Sequence, residues 1–135
     1  MSRALYDQML AHARAEAPNE CCGIVAALAG EATAVYPAHN AAASPLRYLM
    51  DGKDQYRIQE DIEGRGWEYG AIYHSHTRSA PQPSQTDINM ALVPGVGPLW
   101  PGSVYIIIGL AGAEPEVRAF RIESETPEEV ALSVV

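Results

Sequence analysis

Between residues 70 and 87 the chain passes from an apolar run, Gly70-Ala71-Ile72-Tyr73, through His74-Ser75-His76 and a loop to Ser84 and Asp87. The apolar run, bounded by glycine and polar residues, reads as a buried strand. Side chains two apart on a strand share a face, so His74 and His76 aim two imidazoles at one point. Pro83, then Ser84, then the apolar Ile88, Met90, Ala91 and Leu92 read as the start of a helix. Residues 77–83 are enough chain to fold that helix start back over the strand end. The fold therefore has to accommodate a strand, a loop and a helix closing on one spot.

Two neutral imidazoles, the Asp87 carboxylate and a fourth position left for water form the usual ligand set of a hydrolytic zinc site. Other readings of the same residues stand beside it. Ser-x-x-Asp ahead of an apolar run is close to a helix capping box, and His-x-His alone also describes two partly exposed strand residues. The capping reading does not compete with the metal reading, because a carboxylate near a helix N-terminus is favoured there whether or not it binds metal.

Together, His74, His76, Ser84 and Asp87 resemble the His-x-His-x7-Ser-x2-Asp signature of the JAMM, or MPN+, metalloproteases. Upstream, Pro18-Asn19-Glu20-Cys21-Cys22-Gly23 resembles that family's Pro-x-Glu-x-Cys-Gly segment, ahead of the apolar run Ile24 to Leu28. Asn40 to Asp51 is similar to the stretch linking the first strands to the second helix in bacterial members. The resemblance covers nearly the whole chain. It implies an α/β fold, a mixed sheet flanked by helices of the type shared with the cytidine deaminases. It also implies Zn2+ held by His74, His76 and Asp87, which brings the pKa of a zinc-bound water to about 7. By the same resemblance Glu20 is the base that takes a proton from water and hands it to the leaving amine. Ser84 donates its hydroxyl to the oxyanion of the tetrahedral intermediate. Thr77 and Thr86 stand beside the ligands as supporting groups or simply as partners of local backbone.

Family members hydrolyse peptide or isopeptide bonds after the Gly-Gly tail of a ubiquitin-like protein, and such a tail suits a groove beside a strand edge. A small chain with no added domain most resembles members acting on ubiquitin-like sulfur carriers, where release of cysteine feeds cysteine or sulfur-metabolite biosynthesis. One alternative is an isopeptidase that removes ubiquitin-like modifiers from proteins. Another is a non-catalytic scaffold, although scaffold relatives lack one or more motif residues and this chain keeps all five. Rival zinc chemistries lack their motifs here: there is no His-Glu-x-x-His, and no His-x-Glu followed by Pro-Cys-x-x-Cys.

The bulk properties fit one domain spanning residues 1–135, long enough for a core without disulfides. A net charge of −8 argues against nucleic acid or an anionic membrane surface as partner. No apolar run is long enough to span a bilayer, and the first residues lack a signal peptide's apolar segment, which points to the cytoplasm. The only cysteines, Cys21 and Cys22, are adjacent; a disulfide between neighbours is strained, and reduced thiols fit that compartment. Their spacing is not that of a Cys-x2-Cys zinc site.

In chain order, residues 3–17 read as an amphipathic helix with Ser2 as N-cap and Pro18 as its stop. Family members usually place a strand before this helix; here almost no chain remains to make one, so the sheet is expected to lack that edge. A buried strand to Leu28, a turn at Ala29-Gly30-Glu31 and a strand from Thr33 to Tyr36 form a hairpin, with Glu20 at the mouth of its first strand. Tyr48-Leu49-Met50 reads as a short strand, and Asp54 to Glu63 as a helix burying Ile58 and Ile62, stopped by Gly64 and Gly66. Residues 94–102 read as a loop in which Trp100 is either a lid over the core, the favoured reading, or an exposed contact for a partner. Val104 to Leu110 and Glu116 to Glu123 read as strands. The tail from Glu128 to Val135, acidic and then apolar, suits an edge strand or a homodimer contact. His12 and His39 are expected to be structural rather than ligands.

Overall fold

The structure, a computed structural model, describes residues 1–135. Eleven elements follow one another: α1 (Arg3–Glu16), β1 (Cys22–Leu28), β2 (Glu31–Ala38), α2 (Gly52–Gly64), β3 (Glu68–His76), α3 (Gln85–Ala91), β4 (Leu92–Val93), β5 (Gly97–Pro98), β6 (Val104–Gly109), β7 (Glu116–Arg121) and β8 (Glu128–Val130). Six strands make one mixed sheet in the order β2-β1-β3-β6-β7-β8. Only the β3–β6 pair is parallel. This is the mixed α/β architecture that the resemblance implied.

Strand alternation divides the core between the two faces. On one face Met9 and Ala13 of α1 pack against Val25, Tyr73, Ile106 and Ile108. On the other, Ile58 and Ile62 of α2 cover Cys22, Ile24 and Ala26, while Ile88 and Ala91 of α3 cover Ile72, Tyr105 and Ile107. His74 and His76 follow Ile72 at the two-residue period, so they emerge on the face that α2 and α3 cover. Gly23 is required where β1 crosses Tyr73, because a Cβ there would lie 2.4 Å from the tyrosine ring. Both cysteines are buried and free.

Helix α1 begins as read, with Ser2 Oγ accepting from the Leu5 amide at 3.2 Å, and it stops before a cis Ala17–Pro18 bond. No strand precedes it, and β2 and β8 are the two edges of the sheet. Of the two readings of the tail, the edge strand is what Glu128–Val130 forms, paired with β7. Beyond it the Val135 amide donates to the Met1 carbonyl at 3.0 Å.

Three local expectations are corrected. Tyr48-Leu49-Met50 is not a strand: only Met50 bridges, to Asn40, and the Asn40 side chain takes backbone groups that a strand partner would have used. Helix α2 starts at Gly52, with Asp51 Oδ2 accepting from the Asp54 amide at 3.1 Å. A cap residue followed by glycine hides that start, since glycine is a poor helix former. Finally, Leu92–Val93, expected to end the helix, leaves α3 at Ala91 and pairs with Gly97–Pro98, which lies in the expected loop, as a small ribbon.

Candidate metal centre

The carboxyl end of β3 brings His74 and His76 to the rim of the sheet. After His76 the chain turns over the end of β6: the Leu110 amide donates to the His76 carbonyl at 2.9 Å, and Pro81 packs so close to Gly109 that a Cβ there would meet its ring at 2.8 Å. Helix α3 then starts with a complete capping box. Ser84 Oγ accepts from the Asp87 amide at 3.1 Å, and Asp87 Oδ2 accepts from the Ser84 amide at 2.9 Å. This places Asp87, itself buried, against both histidines.

Three atoms converge. His74 Nε2 and His76 Nε2 lie 3.2 Å apart, and Asp87 Oδ2 lies 3.1 Å from the first and 3.0 Å from the second. His76 Nδ1 is 2.8 Å from the Ala80 carbonyl, which can only accept, so Nδ1 carries the proton and in the neutral ring Nε2 turns a lone pair inward. Two imidazole nitrogens and a carboxylate oxygen meeting at one point in a buried site form a donor set suited to a cation. Tetrahedral zinc, with bonds of about 2.0–2.1 Å, sets neighbouring N and O ligands about 3.3 Å apart. The observed spacing fits that ion, and His74, His76 and Asp87 form the one metal-competent cluster in the chain.

In the metal-free site the balance of burial and hydrogen bonding points the same way. Burial pushes the Asp87 carboxyl up, but hydrogen bonds from the two imidazoles and the Ser84 amide prevail and hold it well below the usual carboxylate range. Burial lowers the proton affinity of His74. Burial also lowers that of His76, but its bonds to Asp87 and the Ala80 carbonyl outweigh this and raise it. The carboxylate thus draws positive charge to the point where the three atoms meet.

Glu20 is buried at 4 % exposure, and its Oε1 has no hydrogen-bond partner. Burial raises its pKa to about 7; His76 pulls it down and the Asp87 charge pushes it up. Its backbone is held on several sides. The Glu20 amide donates to the Ser44 carbonyl at 2.9 Å, and Asn40 Nδ2 donates to the Glu20 carbonyl at 3.0 Å. Next to it the Cys21 amide donates to Ser75 Oγ at 2.8 Å, and Thr77 Oγ1 donates to the Pro18 carbonyl at 2.9 Å. Ser75 and Thr77, which alternate with the ligands along β3 and just past its end, therefore fasten the Glu20 segment to the metal strand.

The two remaining histidines lie elsewhere: His12 Nδ1 meets Tyr73 Oη at 2.8 Å, and exposed His39 bonds Asp54. Thr86 is exposed on α3. Reasoning from sequence missed Ser75, Asn40 and Tyr48, the last of which stacks on the His74 ring. Next to Tyr48 opens an apolar cleft of about 150 Å³, lined in part by Tyr48, Met50, Met90 and Tyr105. Trp100 forms another wall, half-buried with its ring 5.0 Å from that of Tyr69, in keeping with its reading as a cover for the core. No helix is long and apolar enough to cross a membrane.

Comparison with known proteins agrees with the geometry. The family described as prokaryotic homologs of the JAB domain matches residues 2–123. A desampylase from Haloferax volcanii is 40% identical over 108 residues, which is 75% of this chain and 73% of the relative. The CysO-cysteine peptidase of Mycobacterium tuberculosis is 31% identical over 134 residues, covering 97% of this chain and 87% of that protein. The solution structure of a Desulfitobacterium hafniense protein superposes with a TM-score of 0.82 at 29% identity, covering 100% of this chain and 93% of its own. A family match over most of the chain, together with a zinc-shaped His-His-Asp cluster at the end of β3, leads to one assignment: the chain belongs to the prokaryotic homologs of the JAB domain and is a zinc metalloprotease of the JAMM type.

Proposed function

We propose that residues 1–135 act as one protease domain that cleaves after the C-terminal Gly-Gly of a ubiquitin-like sulfur carrier and releases cysteine. The observation that carries the reading is the pairing of a complete zinc triad and a buried, unpartnered Glu20 carboxyl in a chain similar over 97% of its length to a CysO-cysteine peptidase. Held by His74, His76 and Asp87, zinc supplies a Lewis acid that acidifies water and polarises the scissile carbonyl. Glu20, with a proton affinity near neutrality, takes the proton of the attacking water through Oε1 and delivers it to the departing amine. Ser84 Oγ spends a lone pair on the Asp87 amide, so its proton stays free to point at the developing oxyanion. The substrate's extended tail binds by strand addition, and glycines at the scissile bond let it enter beside a buried metal. Cleavage takes place in the cytoplasm, where buried reduced cysteines are at home. The −8 charge fits a protein partner rather than nucleic acid.

The test is mass spectrometry of a carrier ending in Gly-Gly-Cys, incubated with the zinc-loaded protein and, in parallel, with Glu20→Ala. Loss of one cysteine with the parent alone supports the reading. No loss with a zinc-containing parent, combined with cleavage of isopeptide-linked conjugates, replaces it with the modifier-removing reading. A parent that takes up no zinc restores the scaffold reading.

A further inference from the structure

The two histidines of the triad are supported differently. His76 donates from Nδ1 to the Ala80 carbonyl, whereas Nδ1 of His74 is buried and has no hydrogen-bond partner. Metal-binding histidines are ordinarily steered by an acceptor at the second nitrogen. What meets the His74 ring instead is Tyr48, stacked on it with centroids 4.6 Å apart and planes 26° apart. Tyr48 is only 7 % exposed although it belongs to no helix or strand.

One side chain holds it there. Asn40 Nδ2 donates to the Glu20 and Arg47 carbonyls, each at 3.0 Å, and Asn40 Oδ1 accepts from the Ala42 amide at 3.0 Å and the Leu49 amide at 2.9 Å. Both N–H groups and both lone pairs of the amide are engaged. The residues on either side of Tyr48 are thus fixed by Asn40, and so is the backbone of Glu20. The Ala41 amide, donating to the Leu49 carbonyl at 2.7 Å, closes the loop further.

We infer that Tyr48 is a positioning residue for His74: its stacked ring face holds the orientation of the His74 imidazole, as the hydrogen bond to the Ala80 carbonyl holds that of His76. Asn40 is the mount that sets this ring and Glu20 at a fixed spacing. The inference rests on the triad being the zinc site and is independent of the substrate.

The experiment measures the zinc dissociation constant by competition with a chromophoric chelator, and the cobalt(II) absorption spectrum, for the parent, Tyr48→Phe and Tyr48→Leu. Thermal melting is followed on the same samples. Phenylalanine keeps the stack and should bind zinc within about twofold of the parent. Leucine keeps much of the volume without the ring face, and should weaken binding about 10- to 100-fold and shift the cobalt spectrum. Leucine that lowers the melting temperature yet binds zinc within about threefold of the parent would reduce Tyr48 to core packing and overturn the inference. Phenylalanine as weak as leucine would also overturn it, by moving the effect from ring to hydroxyl. If Tyr48→Leu does not fold, Asn40→Asp decides. It keeps acceptors for Ala42 and Leu49 but loses the donors to Glu20 and Arg47, and parental zinc affinity in that variant refutes the mount. A parent that binds no zinc removes the triad reading itself, whereas a binding parent with unaffected variants removes only the role of Tyr48.

Discussion

Glu20→Gln in the metal-free protein tests whether burial governs the proton affinity of the Glu20 carboxyl. The substitution keeps shape and removes the charge. Burial raises the Glu20 pKa from 4.5 to about 7, so the folded state holds the proton more tightly than the unfolded chain does. A raised pKa contributes stability that is fully present below the unfolded value and is lost as pH rises through the folded one. The window is therefore pH 4.5 to 7, and the parent should lose stability across it while the glutamine variant does not. At about 1.36 kcal/mol per pH unit, the full displacement corresponds to about 3.4 kcal/mol, of which about 2.5 falls between pH 5 and pH 8.5. Water reaches a carboxyl at the mouth of a site, and screening reduces this to about 1–2 kcal/mol. Urea unfolding of the chelator-treated proteins at the two pH values gives the difference directly. The variant should gain on the parent by that amount at pH 8.5 relative to pH 5. A difference between the two proteins that stays flat within about 0.5 kcal/mol would refute burial as the cause.

Ser84→Ala should remove the acceptor for the Asp87 amide, at a cost of about 1 kcal/mol in urea unfolding, and should slow turnover about 10²- to 10³-fold with zinc retained; a loss of stability at the parental rate would remove Ser84 from the chemistry. Gly23→Ala places a Cβ 2.4 Å from Tyr73 and 2.5 Å from the Tyr36 carbonyl, so it should cost about 1–3 kcal/mol or more in a thermal melt. A parental melting temperature would contradict that packing. Burial pushes the Cys21 thiol up to about 11 and the Cys22 thiol up to about 12, so at pH 8 alkylation should be at least about 100-fold slower in the folded protein than in urea. Prompt labelling of the native protein would show the pair to be accessible.

The parts of the site legible in the sequence are those that local geometry fixes. His74 and His76 were readable because a strand has a period of two, and Ser84 with Asp87 because a helix start has a recognisable pattern. The supporting residues escaped because their partners are remote: Ser75 accepts from an amide 54 residues away, and Asn40 donates to a carbonyl 20 residues away. Tyr48-Leu49-Met50 failed for the same reason. Three consecutive apolar residues look like a strand, but only the folded chain shows Asn40 diverting the Arg47 carbonyl and the Leu49 amide and the Tyr48 ring turning onto His74. Asp51 was missed differently, as a local cap obscured by the glycine behind it.

Each spacing in the motif can be assigned a physical length. The interval between the histidines is the strand period, which puts both Nε2 atoms on one side of β3. The interval from Ser84 to Asp87 is the distance from N-cap to third helical residue, where a side chain reaches back to the cap amide. The same Asp87 Oδ2 that accepts this amide also faces both imidazoles, so capping the helix and completing the triad are one placement of one oxygen. The residues between His76 and Ser84 then span the turn over the end of β6, with Ala80 returning a carbonyl to His76 and Pro81 lying on Gly109. A one-residue change between the histidines would turn one of them to the opposite face, and a one-residue change between Ser84 and Asp87 would move Asp87 off the helix's third position. The ligand set therefore depends on the fold around it as strictly as on the identity of its residues.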